Sequence, residues 1–550
     1  MILFKNGKKF INLVFLYINT LKYMKISQVI YRIYYRLKIS KDLSYKESPQ
    51  KRIPTNPHKI GIPKISTYNA DLNFFIFLNK KKHTLQLIDW DPKDMTRLWV
   101  YNLHYFDFIN SKELSFRQID VEFIIDSWIN NNNSFKGPGW EPYPLSLRIV
   151  NWVKFFVNYK FEKDIYIESL YLQLRYLSKN IEYHIMGNHV LANAKALIFG
   201  GIFFNVSESN NYRTIGEHLF NKQINEQILQ DGAHFELSPM YHQVILEDLI
   251  DLIGLYKAFD IKVPRLWTEK VAVMQNWSTA MSHPDGDISF FNDSAFSIAL
   301  KPKETEKECI NLGIPINKQD FLIKHLEDSG YIIFKNDNIK MIIDNGIIGP
   351  SYIPGHGHSD LHSFELSVFG KRLVVNGGTS TYEISKQRSF ERSSASHSTI
   401  EIDGKNSSEV WSSFRVARRS KPSAANILKY ENDVDISSTN TDFRNFFSKI
   451  RNTRTWNIKN NRIIIKDKLE GPYKTAKTKI ILHPDWTCEI INDQLIYIHY
   501  ELINKKIKVE SLEPINIEEA VYSCEFGKSL RTSCLTQIST SNKMQLIISW

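Results

Sequence analysis

The sequence predicts a multidomain chain with a helical first half and an all-β second half. Three observations carry this. Between about Trp90 and Ser282 apolar residues recur at spacings of three and four, as in Ile167, Leu170, Tyr171, Leu174, Leu177 and Ile181, which places them on one stripe of a helix. Beyond about Gly330 the period shortens to two: Phe364, Leu366 and Val368 alternate with Ser363, Glu365 and Ser367, the mark of a half-buried strand. The length of 550 residues exceeds what one hydrophobic core usually organises, so two or three domains are expected. The divisions that follow are 1–89, a basic helical and irregular segment; 90–329, a helical domain; and 330–550, an antiparallel β domain.

Taken in order, Lys5, Lys8 and Lys9 precede a mostly apolar run from Phe10 to Leu21 that resembles the start of a signal peptide. Lys22-Tyr23-Met24-Lys25 then stands where a small-residue cleavage site belongs. The run is short for a bilayer span and holds Asn12 and Asn19. Ile26 to Lys38 continues as a basic amphipathic helix, suited to a membrane surface or to packing against the rest of the chain. An uncleaved chain is expected, cytoplasmic or membrane-associated, with the periplasm as the alternative. Residues 40–90 look irregular, punctuated by Pro49, Pro54, Pro57 and Pro63. Amphipathic segments over 142–160, 188–204, 213–230, 235–258 and 266–282 have short links, which implies antiparallel helical pairs. No close repeat accompanies them. In the β half, turns are expected at Asn336-Asp337-Asn338, Gly370-Lys371, Asp403-Gly404 and Asn460-Asn461.

Composition narrows the partners. Lys and Arg exceed Asp and Glu by 70 − 59 = 11, a balance that favours an anionic partner: nucleic acid, a membrane surface or an acidic polysaccharide. No long basic run or nucleic-acid motif is present, which leaves nucleic acid the weakest of the three. Cys309, Cys488, Cys524 and Cys534 are far apart and form neither a zinc ribbon nor a disulfide framework.

Chemistry concentrates in three stretches. Gly355-His356-Gly357-His358-Ser359-Asp360-Leu361-His362 leads into the strand at Phe364, and Ser396-His397-Ser398-Thr399 follows later. Imidazoles at this density suit metal ligation or proton transfer, a His-rich surface loop being the plain alternative. Gly187-Asn188-His189 reads as a helix start with Asn188 as the cap, an end where anions bind; an ordinary cap beside an incidental histidine fits the spacing equally well. In Asp231–His242, Ser238-Pro239 fits an N-cap followed by proline. Tyr241 shares a helical face with Val244, Ile245 and Asp248, as a buried structural tyrosine also would. Sites of this kind form where domains meet.

Together these stretches resemble the heparinase II/III-type polysaccharide lyases. Trp99–Asp107, Trp140-Glu141-Pro142-Tyr143-Pro144 and Arg148 are similar to the family's opening region. Gly187-Asn188-His189, Ser238–His242, His356–Asp360 and Ser396–Thr399 then occur in family order. The resemblance implies an incomplete (α/α) toroid followed by an antiparallel β-sandwich, with β-elimination from a uronic-acid glycan in the cleft between them. The substrate carboxylate must be neutralised before the C5 proton leaves, a role matched by Asn188 with His189. A base and an acid serve C5 and O4, matched by Tyr241 and His356, with Tyr241 as base if positive charge lowers its pKa. Arg148, His242 and Arg392 are implied as substrate-binding. His358, Asn376 and His397 match a structural metal site, zinc or calcium, whose acidic ligand is here an amide; no cofactor is otherwise required.

Two roles stay open, degradation of an external polysaccharide and processing of the cell's own surface polymer (capsule or O-antigen); the missing cleavage signal leans toward the second. Two other readings stand beside this one: a glycan-binding or assembly protein on the same fold, and a metal hydrolase built on His356, His358, Asp360 and His362. The latter resembles the metallo-β-lactamase motif, although one residue separates Asp360 from His362 where that motif has the two adjacent.

Overall fold

The computed structural model describes the chain except residues 1, 39–42, 46, 57–58, 85–86, 115–116, 162, 318–319, 432, 446–447 and 502; for 2–9, 441–445, 448–449 and 503–504 it describes the backbone alone. Two helices open it, α1 (Ile2–Leu21) and α2 (Ile26–Leu37). The helical domain follows with α3 (Arg97–Tyr105), α4 (Gln118–Asn131), α5 (Pro142–Tyr159), α6 (Asp164–Ser178), α7 (Gly187–Phe203), α8 (Ser209–Gln227), α9 (Pro239–Ala258), α10 (Arg265–Met281) and α11 (Pro302–Asn311). These enclose one apolar core, in which Trp128, Trp152, Leu174, Leu197, Leu252 and Trp267 are fully buried. The arrangement is an incomplete α/α toroid, and the strands of the C-terminal half begin at Ile323.

Local chemistry sets the helix boundaries. α9 starts at Pro239, four residues later than the apolar period alone implies, because Ser238 Oγ accepts from the Tyr241 N–H at 3.1 Å and proline holds the first helical position. At α7 the expected cap is displaced. Met186 (φ 71°) is the cap residue and Asn188 lies inside the first turn, its side chain free of capping duty. Gly187 (φ +57°) follows, where an added Cβ would meet Ile353 at 2.9 Å and the Glu236 carboxylate at 3.0 Å.

The 40–90 stretch is not wholly irregular. A small antiparallel sheet of Tyr68–Asn69, Phe74–Phe77 and Lys80–His83 packs Phe75 and Phe77 into the toroid core. Its turn is Leu78-Asn79, both at positive φ (53° and 58°) without a glycine, so the usual hairpin signal is missing from the sequence.

Among the described residues, the C-terminal half forms two facing antiparallel sheets of nine and eight strands. The first sheet starts with Ile323–Leu326, Tyr331–Lys335, Ile339–Asp344, Phe364–Val368 and Lys371–Val375, and is completed by Ile400–Ile402, Ala476–Leu482 and the hairpin 515–539. Phe364, Leu366 and Leu373 from it meet Ile436, Trp456 and Ile548 from the second sheet in one core, a β-sandwich. The tight turn after Val368 is Phe369-Gly370 (φ 50° and 78°), one residue earlier than expected, and Lys371 already opens the next strand. Domain and sandwich are joined by apolar clusters: Met240 of α9 and Phe290 pack with Val375, Ile481 and Tyr522, while Trp277 packs with Tyr331 and Ile342. That junction is continuous core rather than a hydrated interface.

A balanced charge network crosses the toroid core. Lys195 on α7, 3% exposed, bonds Asp248 at 2.6 Å and also Asp251, both on α9, and Asp251 also receives Lys154. Burial opposes ionisation of Asp251, yet the two lysines hold its pKa down to about 2. Its contribution to stability is therefore present above the ordinary carboxylate range and is lost as pH falls toward 2. Lys195→Met strands a buried charge and should cost about 3–5 kcal/mol, read as a lowered midpoint in urea at neutral pH.

Candidate active site

The site is assembled around Asp293, on the segment linking α10 to α11. Asp293 is fully buried and accepts from His356 Nδ1 at 2.8 Å, His358 Nε2 at 2.8 Å, Arg388 Nη2 at 2.7 Å and Thr379 Oγ1 at 3.3 Å. Its pKa lies well below the carboxylate range: burial works the other way and is outweighed by Arg388 and the imidazole hydrogen bonds. An ionised carboxylate only accepts, so both imidazole nitrogens facing it carry protons. Nδ1 of His356 therefore carries a proton toward Asp293, and Nε2 points away from it, toward Glu236.

Neighbouring bonds hold this arrangement. Asp293 N–H donates to His356 O at 3.0 Å, and Ser238, the cap of α9, donates to Asp293 O at 2.6 Å. Asn292 Oδ1 accepts from the His358 N–H at 2.9 Å. Arg388 lies on the short helix α12 (Lys386–Glu391) and also donates to Ser413 O at 2.9 Å.

Tyr241, two residues into α9, stacks on His356 with ring centroids 3.9 Å apart, and its hydroxyl lies 3.0 Å from that of Tyr382. Its pKa is raised well above the ordinary phenol, first by burial and then by Tyr382. Arg388, 4.9 Å over the Tyr382 ring, does not lower it, because Asp293 neutralises that guanidinium. Tyr241 keeps its proton in the free protein. Phe414 covers the other side, 5.9 Å from His356, and a cavity of about 480 Å³ opens beside Tyr382, lined also by Lys80, Leu98 and Gln387.

Opposite His356 stands the first turn of α7. Glu236, 2% exposed, lies 3.8 Å from His356 Nε2. Its carboxylate faces the Asn188 N–H without reaching a hydrogen bond of ordinary geometry. Burial raises the Glu236 pKa, against the lowering pull of His356 and His189. His189 stacks on Tyr143 at 4.5 Å and lies 3.1 Å from Glu182. Burial disfavours its charged form, but Glu182 keeps its pKa above the usual imidazole value. Glu236 thus lies between the Tyr241–His356 pair on one side and the start of α7, with Asn188 and His189, on the other.

Other expected residues lie elsewhere. Arg148 is fully buried, bonded to Gln173 and Gly139 O at 2.8 Å each and stacked 3.9 Å over Trp128; it braces α5 and has no face toward substrate. His242, also fully buried, bonds Met274 O and receives the His234 N–H, and burial pushes its pKa down to about 3. Arg392, 1% exposed, donates to Gly357 O and Ser412 O, so it shapes the histidine loop from behind.

The metal set does not fit as expected. His358 Nδ1 and His397 Nε2 meet at 3.1 Å, but Asn376 is spent: its amide donates to Phe290 O and Ser363 Oγ and accepts from the Ser398 N–H. No group of three or more His, Cys, Asp or Glu among the described residues is placed to hold a metal. The hydrolase cluster also disperses. Asp360 accepts from the Asn292 N–H, and His362 (φ 62°) turns toward Trp456 in the sandwich.

Sequence reading missed Asp293, Arg388, Tyr382 and Glu236. Glu236 lay inside a stretch already singled out; the others sit in segments with no periodicity or motif, and only the fold brings them together. A helical toroid set on an antiparallel sandwich, with acid–base side chains where they meet, defines a two-domain toroid–sandwich protein. Residues 73–308 match the model described as Heparinase II/III N-terminus and residues 318–550 the one described as Heparinase II/III-like, C-terminal. The chain belongs to the heparinase II/III family. It is 25% identical over 342 residues to a heparin-sulfate lyase of Pedobacter heparinus, covering 56% of this chain and 48% of that protein. With a heparin-sulfate lyase of Bacteroides stercoris it shares 28% identity over 255 residues, 41% of this chain and 37% of the other. The matched region thus spans less than half the length of these curated relatives. The crystal structure of heparinase III superposes with a TM-score of 0.69 at 17% identity, covering 95% of this chain and 88% of the other. That of heparan sulfate lyase HepC from Pedobacter heparinus gives 0.58 at 19%, covering 87% and 81%. At these identities the structural likeness establishes the fold.

Asp293→Asn should destabilise the fold by about 3–5 kcal/mol, because it leaves Arg388 as an unpaired buried charge. The double variant Asp293→Asn/Arg388→Met should recover part of that loss in the same denaturation assay.

Proposed function

We propose that this chain is a polysaccharide lyase acting by β-elimination on a uronate-containing, anionic glycan. The observation that carries the reading is the stacked Tyr241–His356 pair, with the His356 tautomer set by Asp293. His356 Nε2 takes the C5 proton of the uronate. Electrons from the C5–H bond form the C4–C5 double bond as the C4–O4 bond breaks, and Tyr241 donates its phenolic proton to O4. Its high pKa in the free protein suits it to that donor role. Asn188, in the first turn of α7, stabilises the charge growing on the uronate carboxylate, helped by the helix N-terminus. The protonated form of Glu236, favoured by its burial, removes a repulsion from that position. The lyase names of the curated relatives support the reaction class and point to a glycosaminoglycan-like substrate. The finer reading is a role in processing a surface polymer of the capsule or O-antigen type.

Elimination creates a conjugated unsaturated uronate that hydrolysis does not. Purified protein with a panel of uronate glycans should show rising ultraviolet absorbance. Tyr241→Phe and His356→Ala should each lower the rate about 10²–10⁴-fold, and Asn188→Ala about 10²–10³-fold; Tyr241→Phe and Asn188→Ala should leave thermal unfolding unchanged, while His356→Ala, which removes a donor to Asp293, should lower it. Cleaved ends without absorbance would mean hydrolysis and sink the proposal. No step above runs through a metal, so prolonged treatment with a chelator should leave the rate within about twofold, measured on the same substrate after metal analysis.

A further inference from the structure

α2 is an amphipathic helix mounted the wrong way round. Its apolar stripe, Ile26, Val29, Ile30, Ile33 and Leu37, faces solvent, with Ile26 79% and Leu37 76% exposed. Gln28 is its buried residue, at 3%, and its tyrosines serve the toroid: Tyr31 packs on Tyr183 at 4.8 Å and the Tyr35 hydroxyl donates to Ile181 O. α1 continues the exposed apolar surface with Phe10, Ile11, Phe15, Ile18 and Leu21. Burying such a stripe is the ordinary reason for an amphipathic helix, and an exposed apolar patch of this extent marks an interaction surface.

Charge identifies the occupant. Residues 1–38 contain Lys5, Lys8, Lys9, Lys22, Lys25, Arg32, Arg36 and Lys38 and no Asp or Glu. A second copy of the same surface would set like charges against each other. An anionic lipid surface satisfies both features, taking the apolar stripe at its acyl boundary and the basic side chains at its headgroups. No described helix is long and apolar enough to cross a membrane, so the mode is lying on the surface. We infer that α1 and α2 dock this protein on an anionic lipid bilayer.

The docking face adjoins the candidate site. In α1, Thr20 receives the Trp411 indole N–H at 3.1 Å and Tyr17 packs on Trp411 at 5.0 Å, three residues before Phe414. α2 is seated on Ile181 and Tyr183, just ahead of Asn188. A polymer held near the bilayer would thus meet the cleft.

The test is co-sedimentation of the full chain with vesicles of phosphatidylcholine alone and of phosphatidylcholine mixed with phosphatidylglycerol. Binding to the mixed vesicles should be at least about tenfold stronger and should fall with added salt. Ile30→Glu/Ile33→Glu should reduce it about tenfold or more, with unfolding temperature and soluble-substrate turnover unchanged, since both side chains are more than half exposed. Arg32→Glu/Arg36→Glu should remove the preference for the anionic lipid. Equal binding to both vesicles, no binding at low salt, or indifference to the Ile30/Ile33 change overturns the inference. A concentration-dependent dimer that the same change dissolves overturns it in favour of a second copy.

Discussion

Asp293 is fully buried and accepts from His356, His358 and Arg388. A carboxylate there is tolerable because Arg388 neutralises it and every bond it receives comes from a donor of fixed position. The rest of the site inherits that rigidity. The tautomer of His356, the seat of Tyr241 against it and the start of α9 through Ser238 all follow from where one side chain must lie. The proposed chemistry thus depends on a residue that need not touch substrate.

The two halves of the molecule meet through apolar clusters, so the cleft has a packed floor. α9 crosses that boundary: its first turn supplies Tyr241 to the site and Met240 to the shared core. The Asp293 segment arrives from the helical side and closes onto the histidine loop of the sandwich. Tyr241 and His356, the proposed acid and base, come from different domains, and the 3.9 Å between their rings is a property of the junction.

Much of this was legible in the chain because it rests on local rules. Periods of 3.6 and 2 separated the domains, and Ser238-Pro239 marked the true start of α9. Asn188, His189, Tyr241 and His356 could be named because each lies in a short motif with its own logic. His242 stands in the same motif as Tyr241, and Arg148 and Arg392 were named beside them, yet burial turned all three to scaffolding; sequence spacing does not distinguish a charged side chain facing a cleft from one stacked on Trp128. Asp293 and Arg388, 95 residues apart in sequence, meet only through tertiary closure. The Leu78-Asn79 turn escaped because non-glycine residues hold its positive φ angles.

The short link between α1 and α2 has a thermodynamic consequence. One helix grips the Trp411 loop of the sandwich and the other the Tyr183 segment of the toroid, so the hairpin spans both walls of the cleft. Any ligand that holds the hairpin more firmly at the present wall spacing also favours that spacing. By linkage, a ligand in the cleft that prefers the same spacing must tighten the hairpin's hold by an equal factor. Because the two domains share packed apolar clusters, that coupling extends only as far as the junction lets their spacing change.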